Sequence, residues 1–268
     1  MKKFLVLSLM AGLVIPAWAD KKGAFLRGGL GFLFPDANSF VNGGQMALNR
    51  GVGLEANYSK MDNSDTQAGT ASFVWAGGGS GLGLGVTRIG SELDNPVTSL
   101  DVLQAQAGAS LVKDSVTVGA VYTRALENVV GADSVGGQVN FNFGRHGEGW
   151  VMGLGATTTL GRETNSQSGK VGLGYAFKGG VMMEASYGMD DLENAGQNHT
   201  VSGSFVYNGS AWYVAGQYND VTTGGLKAST MAGRLGLVWR KLDLSAQMTK
   251  GTTEGSDTVY GGTLRFVF

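Results

Sequence analysis

The feature that most limits this chain is a period of two. Large apolar and small or polar side chains alternate in segments of about ten residues, separated by turn residues, almost to the last position. Ala71, Phe73 and Trp75 stand against Thr70, Ser72 and Val74. Val135, Val139, Phe141 and Phe143 stand against Gln138, Asn140 and Asn142, and Val171, Leu173, Tyr175 and Phe177 against Lys170, Gly172 and Gly174. Successive strand residues point to opposite faces, so this pattern specifies strands and leaves no room for a helical fold. Sixteen segments carry it: 24–34, 40–48, 51–60, 66–76, 81–90, 100–112, 115–125, 134–144, 149–161, 168–177, 181–189, 199–207, 211–221, 229–239, 242–250 and 258–268. The second is the weakest. It is accepted because Asn49-Arg50-Gly51 supplies a tight turn and because it makes the count even. Without it the reading becomes fourteen strands, with residues 20–49 as an N-terminal plug or lid.

Connections between segments alternate in length. Short ones fall at 49–51, 77–80, 113–114, 145–148, 178–180, 208–210 and 240–241, and longer ones near 35–39, 61–65, 91–99, 126–133, 162–167, 190–198, 222–228 and 251–257. The aromatic residues sort by both face and height. Trp75, Phe143, Trp150, Phe177, Tyr207, Trp212, Trp239 and Phe268 share the apolar parity near the short turns. Tyr58, Tyr122, Tyr187, Tyr218 and Tyr260 share it near the long loops. Two belts about ten residues apart, at ~3.3 Å per residue and a tilt of ~40°, match the ~25 Å apolar band of a membrane barrel. Amphipathic rings prefer the headgroup boundary, which gives the sorting a cause. The fold expected is all-β: a transmembrane antiparallel up-and-down barrel of about 16 strands, 14 as the fallback, with short periplasmic turns and modest extracellular loops. The longer loops lean acidic, most densely at Asp190-Asp191-Leu192-Glu193, while the turns and the start lean basic through Lys21, Lys22, Arg50, Lys113, Arg145, Lys178, Arg240 and Lys241.

The other parity would face the lumen. It is mostly Gly, Ala, Ser, Thr, Asn and Gln, with few charges: Arg27, Glu55, Lys170, Glu184, Arg234, Asp243 and Arg265. Asp243 and Arg265 fall opposite each other across the last hairpin, and closure of the barrel would bring Arg27 beside them at the periplasmic mouth. These are either a charged constriction or solvated wall residues neutralising one another; the latter reading is preferred, and exposed pairs contribute only ~0–1 kcal/mol. Gly81, Gly83, Gly85, Gly153, Gly155, Gly172 and Gly174 also point inward. Glycine inside a strand implies close approach of a backbone or ligand.

Composition removes other classes. The chain has no cysteine, so disulfides, cysteine–metal sites and thiol nucleophiles are absent. Its net charge of −1 does not suit a nucleic-acid binder. Gly169-Lys170 lacks the rest of a phosphate-binding loop. His199, near Asp190, Asp191 and Glu193, has no accompanying nucleophile motif, and His146 falls in a short turn, so the chain does not read as an enzyme. No cofactor or metal is implied.

At the start, Lys2 and Lys3 precede an apolar run from Phe4 to Trp18, and Ala17-Trp18-Ala19 fits the small-x-small rule. A cleaved secretory signal over 1–19 is expected, leaving one domain over 20–268. At the other end, Tyr260, Gly262, Leu264, Phe266 and Phe268 share one parity and the sequence stops on an aromatic.

These ends, the two belts and the stretches Gly28-Gly-Leu-Gly-Phe32 and Gly51-Val-Gly-Leu-Glu-Ala-Asn-Tyr58 resemble the Gram-negative outer-membrane β-barrel proteins, the porins above all. The resemblance implies integral outer-membrane placement among its lipids and lipopolysaccharide. It also implies delivery to the barrel assembly machinery through the terminal strand and Phe268. The expected function is passive diffusion of small hydrophilic solutes or ions, with a weak cation preference from the acidic rim. Sixteen strands would give a backbone radius of ~16 Å, and no loop is long enough to fold in and narrow it. The lumen is therefore either unusually open or filled. A filled lumen implies the alternative function, an outer-membrane scaffold or export barrel whose lumen or periplasmic face binds a partner protein, lipoprotein or polymer. Outward Ala105, Ala107 and Ala109 mark a candidate face for a second copy of the chain.

Overall fold

The computed structural model describes residues 27–36, 38–91, 99–113, 115–126, 133–143, 148–160, 166–192, 196–253 and 256–268. The expected signal segment 1–19 lies outside them, as do His146 and Glu193. Fourteen strands run in chain order: β1 Gly51–Met61, β2 Gln67–Gly77, β3 Ser80–Gly90, β4 Ser99–Val112, β5 Val116–Ala125, β6 Asp133–Asn142 and β7 Gly149–Leu160. They continue as β8 Ser166–Ala176, β9 Val181–Leu192, β10 Gly196–Asn208, β11 Trp212–Thr223, β12 Leu226–Trp239, β13 Leu242–Gly251 and β14 Thr258–Val267. Each pairs antiparallel with its sequence neighbours, and β14 pairs with β1 from Gly53↔Val267 to Met61↔Val259, closing the barrel. Closure leaves no unpaired edge, the condition for crossing hydrocarbon with strands.

The alternation becomes two faces. Outward residues are Leu, Val, Met and aromatics, among them Leu82, Leu84, Val86, Leu235, Leu237 and Leu264. Both aromatic belts lie on this face. Trp75, Phe143, Trp150, Phe177, Trp212, Trp239 and Phe268 are exposed around the short-turn end, as are Tyr58, Tyr187, Tyr218 and Tyr260 around the long-loop end. Tyr207 stacks obliquely on Trp212 with centroids 4.9 Å apart, and Tyr122 hydrogen-bonds Asp133 at 3.5 Å. Outside the barrel, an exposed apolar surface with aromatic margins is what a bilayer requires.

The sixteen-strand count is corrected to fourteen. Within the segments expected at 24–34 and 40–48 the described residues form no wall strand; 27–36 and 38–49 lie inside the barrel. Residues 43–46 make a single helical turn, α1 (Gly43–Met46), whose N-cap Asn42 accepts from the Gln45 N–H. The physical reason is visible at Phe32, Leu33 and Phe34: all three are buried, so this stretch has no solvent or lipid face and cannot alternate. At ~14 Å the fourteen-strand wall is narrower than the sixteen-strand estimate. Two of the long connections are also corrected. The segments expected at 190–198 and 222–228 shrink to 193–195 and 224–225, because β9 to β12 extend further. Gly224 and Gly225, at φ 56° and 86°, make the two-residue turn that a right-twisted hairpin favours.

Candidate functional site

The site is the lumen at its short-turn end, where residues 27–49 form a plug. Glycines on the wall make room for it. A side chain at Gly81 would strike Met46, at Gly85 Phe40, at Gly174 Phe34, and at Gly108 or Gly119 the Gly43–Gly44 backbone. The inward glycines of the sequence are therefore the footprint of the plug.

Five of the seven charges expected in the lumen meet in one cluster. Arg265 on β14 is 0% exposed. Its guanidinium donates to Glu55 on β1, with Nε 2.7 Å from Oε2, and to Asp36 of the plug, and its Nη1 lies 3.6 Å from Asp243 on β13. Arg234 on β12 lies 3.7 Å from Asp36 and donates to Ser245 and Thr263 at 2.9 Å each. Arg27 stands 3.9 Å from Asp243. It belongs to the plug rather than the wall, so the route by which it was expected to arrive, strand-to-strand closure, is corrected. Tyr213 on β11 completes the group, its hydroxyl donating to Asp243 at 2.8 Å. Three arginines thus balance three carboxylates. The solvated-wall reading is corrected as well, because Glu55, Arg234, Asp243 and Arg265 are all buried by the plug.

The remaining two charges lie on the neighbouring wall. Glu184 on β9 accepts the backbone N–H groups of Phe32, Leu33 and Phe34, the last two at 2.8 Å. Three consecutive donors aimed at one carboxylate make an anion nest, here formed by the plug around a wall residue. Lys170 on β8 sits over the Phe32 ring, 5.2 Å from its centroid. Asn42 and Asn140, the latter on β6, exchange amide hydrogen bonds at 2.9 and 3.0 Å, and across the lumen Asn38 donates to Ser72 on β2 at 2.7 Å.

Asp36, Asn42, Gln45 and Tyr213 were not singled out from the sequence. Asp36 sits in what read as a loop, and Tyr213 is an inward aromatic whose ring fills the space over Gly28 and Gly236. Those glycines were its only sequence signal. His199 lies on the wall's outer face, its Nδ1 2.6 Å from the Tyr187 hydroxyl, and not in the lumen.

Fold and site together define a transmembrane β-barrel stoppered by its own N-terminal segment. Its fold is that of outer-membrane porins and channels. The outer membrane protein Omp33 of Acinetobacter baumannii superposes with a TM-score of 0.57 at 11% identity, covering 82% of this chain and 98% of that one. The toluene transporter TbuX of Ralstonia pickettii gives 0.56 at 11%, covering 85% and 92%. A bacterial polysaccharide outer membrane secretin gives 0.58 at 9%, covering 81% and 98%. No protein-family model matches the chain, and no curated protein matches it in sequence.

Proposed function

We propose that the chain is an outer-membrane channel for passive diffusion of small hydrophilic solutes and ions, with residues 27–49 as its resident stopper. The observation that carries this reading is the inward wall beyond the plug. There Ser59, Thr70, Thr87, Ser202, Gln247 and Thr249 face the lumen. Thr70, Thr87 and Gln104 run as a hydrogen-bonded ladder at 3.0 and 3.2 Å. Lys170 and Asp190 are the charged residues on this inward parity above the cluster, among the described strand residues. A wall of hydroxyls and amides carries water and uncharged polar solutes, and its few charges set only modest selectivity. The acidic loops favour cations at the outer mouth. The alternative, a scaffold filled by a partner, loses its main motive, since the chain supplies its own filling. What the fold neighbours carry stays with them, because a shared barrel does not transfer a cargo.

The test is conductance of the purified full chain in a planar bilayer under a potassium chloride gradient. Discrete ohmic steps with a reversal potential on the cation side are expected. Verified insertion without steps would overturn the channel reading.

A further inference from the structure

The plug meets the wall through two unlike surfaces. Residues 30–34 pack dry: Leu30, Phe32, Leu33 and Phe34 form one apolar cluster with residues of β7 to β11. Residues 38–49 face β2 to β6 largely through amides and hydroxyls, in the Asn38–Ser72 and Asn42–Asn140 contacts and in the bond from Gln138 to the Val41 carbonyl at 3.2 Å. Phe40 and Met46 are apolar, seated over Gly85 and Gly81, and Ala47 is buried; Val41 packs against the apolar cluster, and Asn42 ties the two halves together by donating to the Phe32 carbonyl at 2.9 Å. Gln45 is 0% exposed, yet among the described residues neither atom of its amide has a partner, and the Asn38 Oδ1 is likewise buried without one. Buried polar groups in polar surroundings are where proteins hold water, whereas an apolar seam stays empty of it. The backbone adds a further difference. Phe40 holds φ at 53°, left-handed for a residue with a side chain, so the polar half stores strain that letting go would release.

We infer that permeation is one-sided. The solute path follows the polar seam between residues 38–49 and strands β2 to β6, while residues 30–34 stay fixed to β7–β11. Asp36, pinned by Arg265 and Arg234, and Gly51, paired in β1, are the two ends of the moving loop. The path takes small hydrated ions and neutral solutes whose own donors and acceptors meet Gln45 and the Asn38 Oδ1 and take the place of the direct Asn38–Ser72 and Asn42–Asn140 bonds. An apolar solute gains nothing along this seam, because displacing bound water without reproducing its hydrogen bonds is unfavourable. This inference rests on the channel reading above.

Since the chain has no cysteine, paired cysteines test it cleanly. Gly44→Cys with Asn140→Cys joins the polar half to β6, where a side chain at Gly44 would meet the Asn140 amide. Leu33→Cys with Gly172→Cys joins the apolar half to β8, where a side chain at Gly172 would lie 3.1 Å from Leu33 Cγ. Bond formation is verified by thiol counting, and each oxidised pair is compared with its own reduced form in potassium chloride. Oxidation of the first pair is expected to cut conductance roughly tenfold, reversibly, and oxidation of the second to change it less than about twofold. Blockage by both pairs, by the second alone or by neither overturns the one-sided path. Gln45→Leu, which needs no new bond, should lower conductance severalfold by drying the seam, and unchanged conductance would also overturn it. A silent wild-type protein refutes the channel reading instead, so the two failures are distinguishable.

Discussion

Replacing Asp36 with asparagine removes one charge and almost no volume from the most buried ion cluster in the barrel. Arg27, Arg234 and Arg265 balance Asp36, Glu55 and Asp243 there, and Arg265 touches three of the carboxylates at once. In the Asp36→Asn variant the cluster carries one unbalanced positive charge that the docked plug shuts from water. Removing one partner of a buried pair costs about 3–5 kcal/mol. An amide oxygen still accepts one guanidinium hydrogen bond, which favours the lower end. Because the wall arginines are rehydrated when the plug lets go, the cost appears in docking rather than in barrel stability. At ~1.4 kcal/mol per decade it raises the undocked fraction by roughly 100-fold, and by a few thousand-fold at most. Ser72→Cys places a single thiol behind Asn38, on a residue buried in the docked state. Its alkylation by a water-soluble maleimide reports exposure directly. Asp36→Asn should accelerate alkylation by about two orders of magnitude while heat-modifiable gel migration, the signature of a closed barrel, is retained. A change of less than threefold, with the barrel intact, would refute the view that this cluster holds the plug.

Two further outcomes follow from the packing. Gly119→Val puts a side chain where the Gly43–Gly44 backbone lies, so it should displace α1, raising both Ser72→Cys alkylation and conductance. Gly137→Val, outward and in open space, should change neither. On the lipid face, Leu84→Arg at mid-strand should lower the free energy of folding into vesicles by about 2–4 kcal/mol in denaturant titrations, and a near-zero effect would remove that face from the membrane.

The wall was legible because its rule is simple. From 51–60 to 258–268, each segment read from alternation has its counterpart among β1 to β14, most ends agreeing within two residues. One face meets lipid and the other meets water or plug, so parity holds along the strands, with a slip at the end of β4, where the register shifts between Ser110 and Val112 and both Leu111 and Val112 are exposed. The interior segment obeys no such rule. Phe32 and Phe34 mimic a strand by spacing, yet Leu33 between them is equally buried, and Pro35 follows at once. The inward glycines announced an occupant, but glycine names the space and not what fills it. Asp36 is opaque for a related reason. Its partners Arg234 and Arg265 are about two hundred positions away, and only the closing of the barrel brings them within reach.

The seam between β14 and β1 has a consequence for how the molecule holds together. Arg265 lies opposite Glu55 across that final ladder, with Asp36 laid over both. The final strand of the barrel therefore completes its charge pairing only with a segment that precedes the first. The stopper and the closing ladder thus share one joint, and a wall without the stopper in place leaves Arg265 and Arg234 with one carboxylate fewer beside the β14–β1 seam.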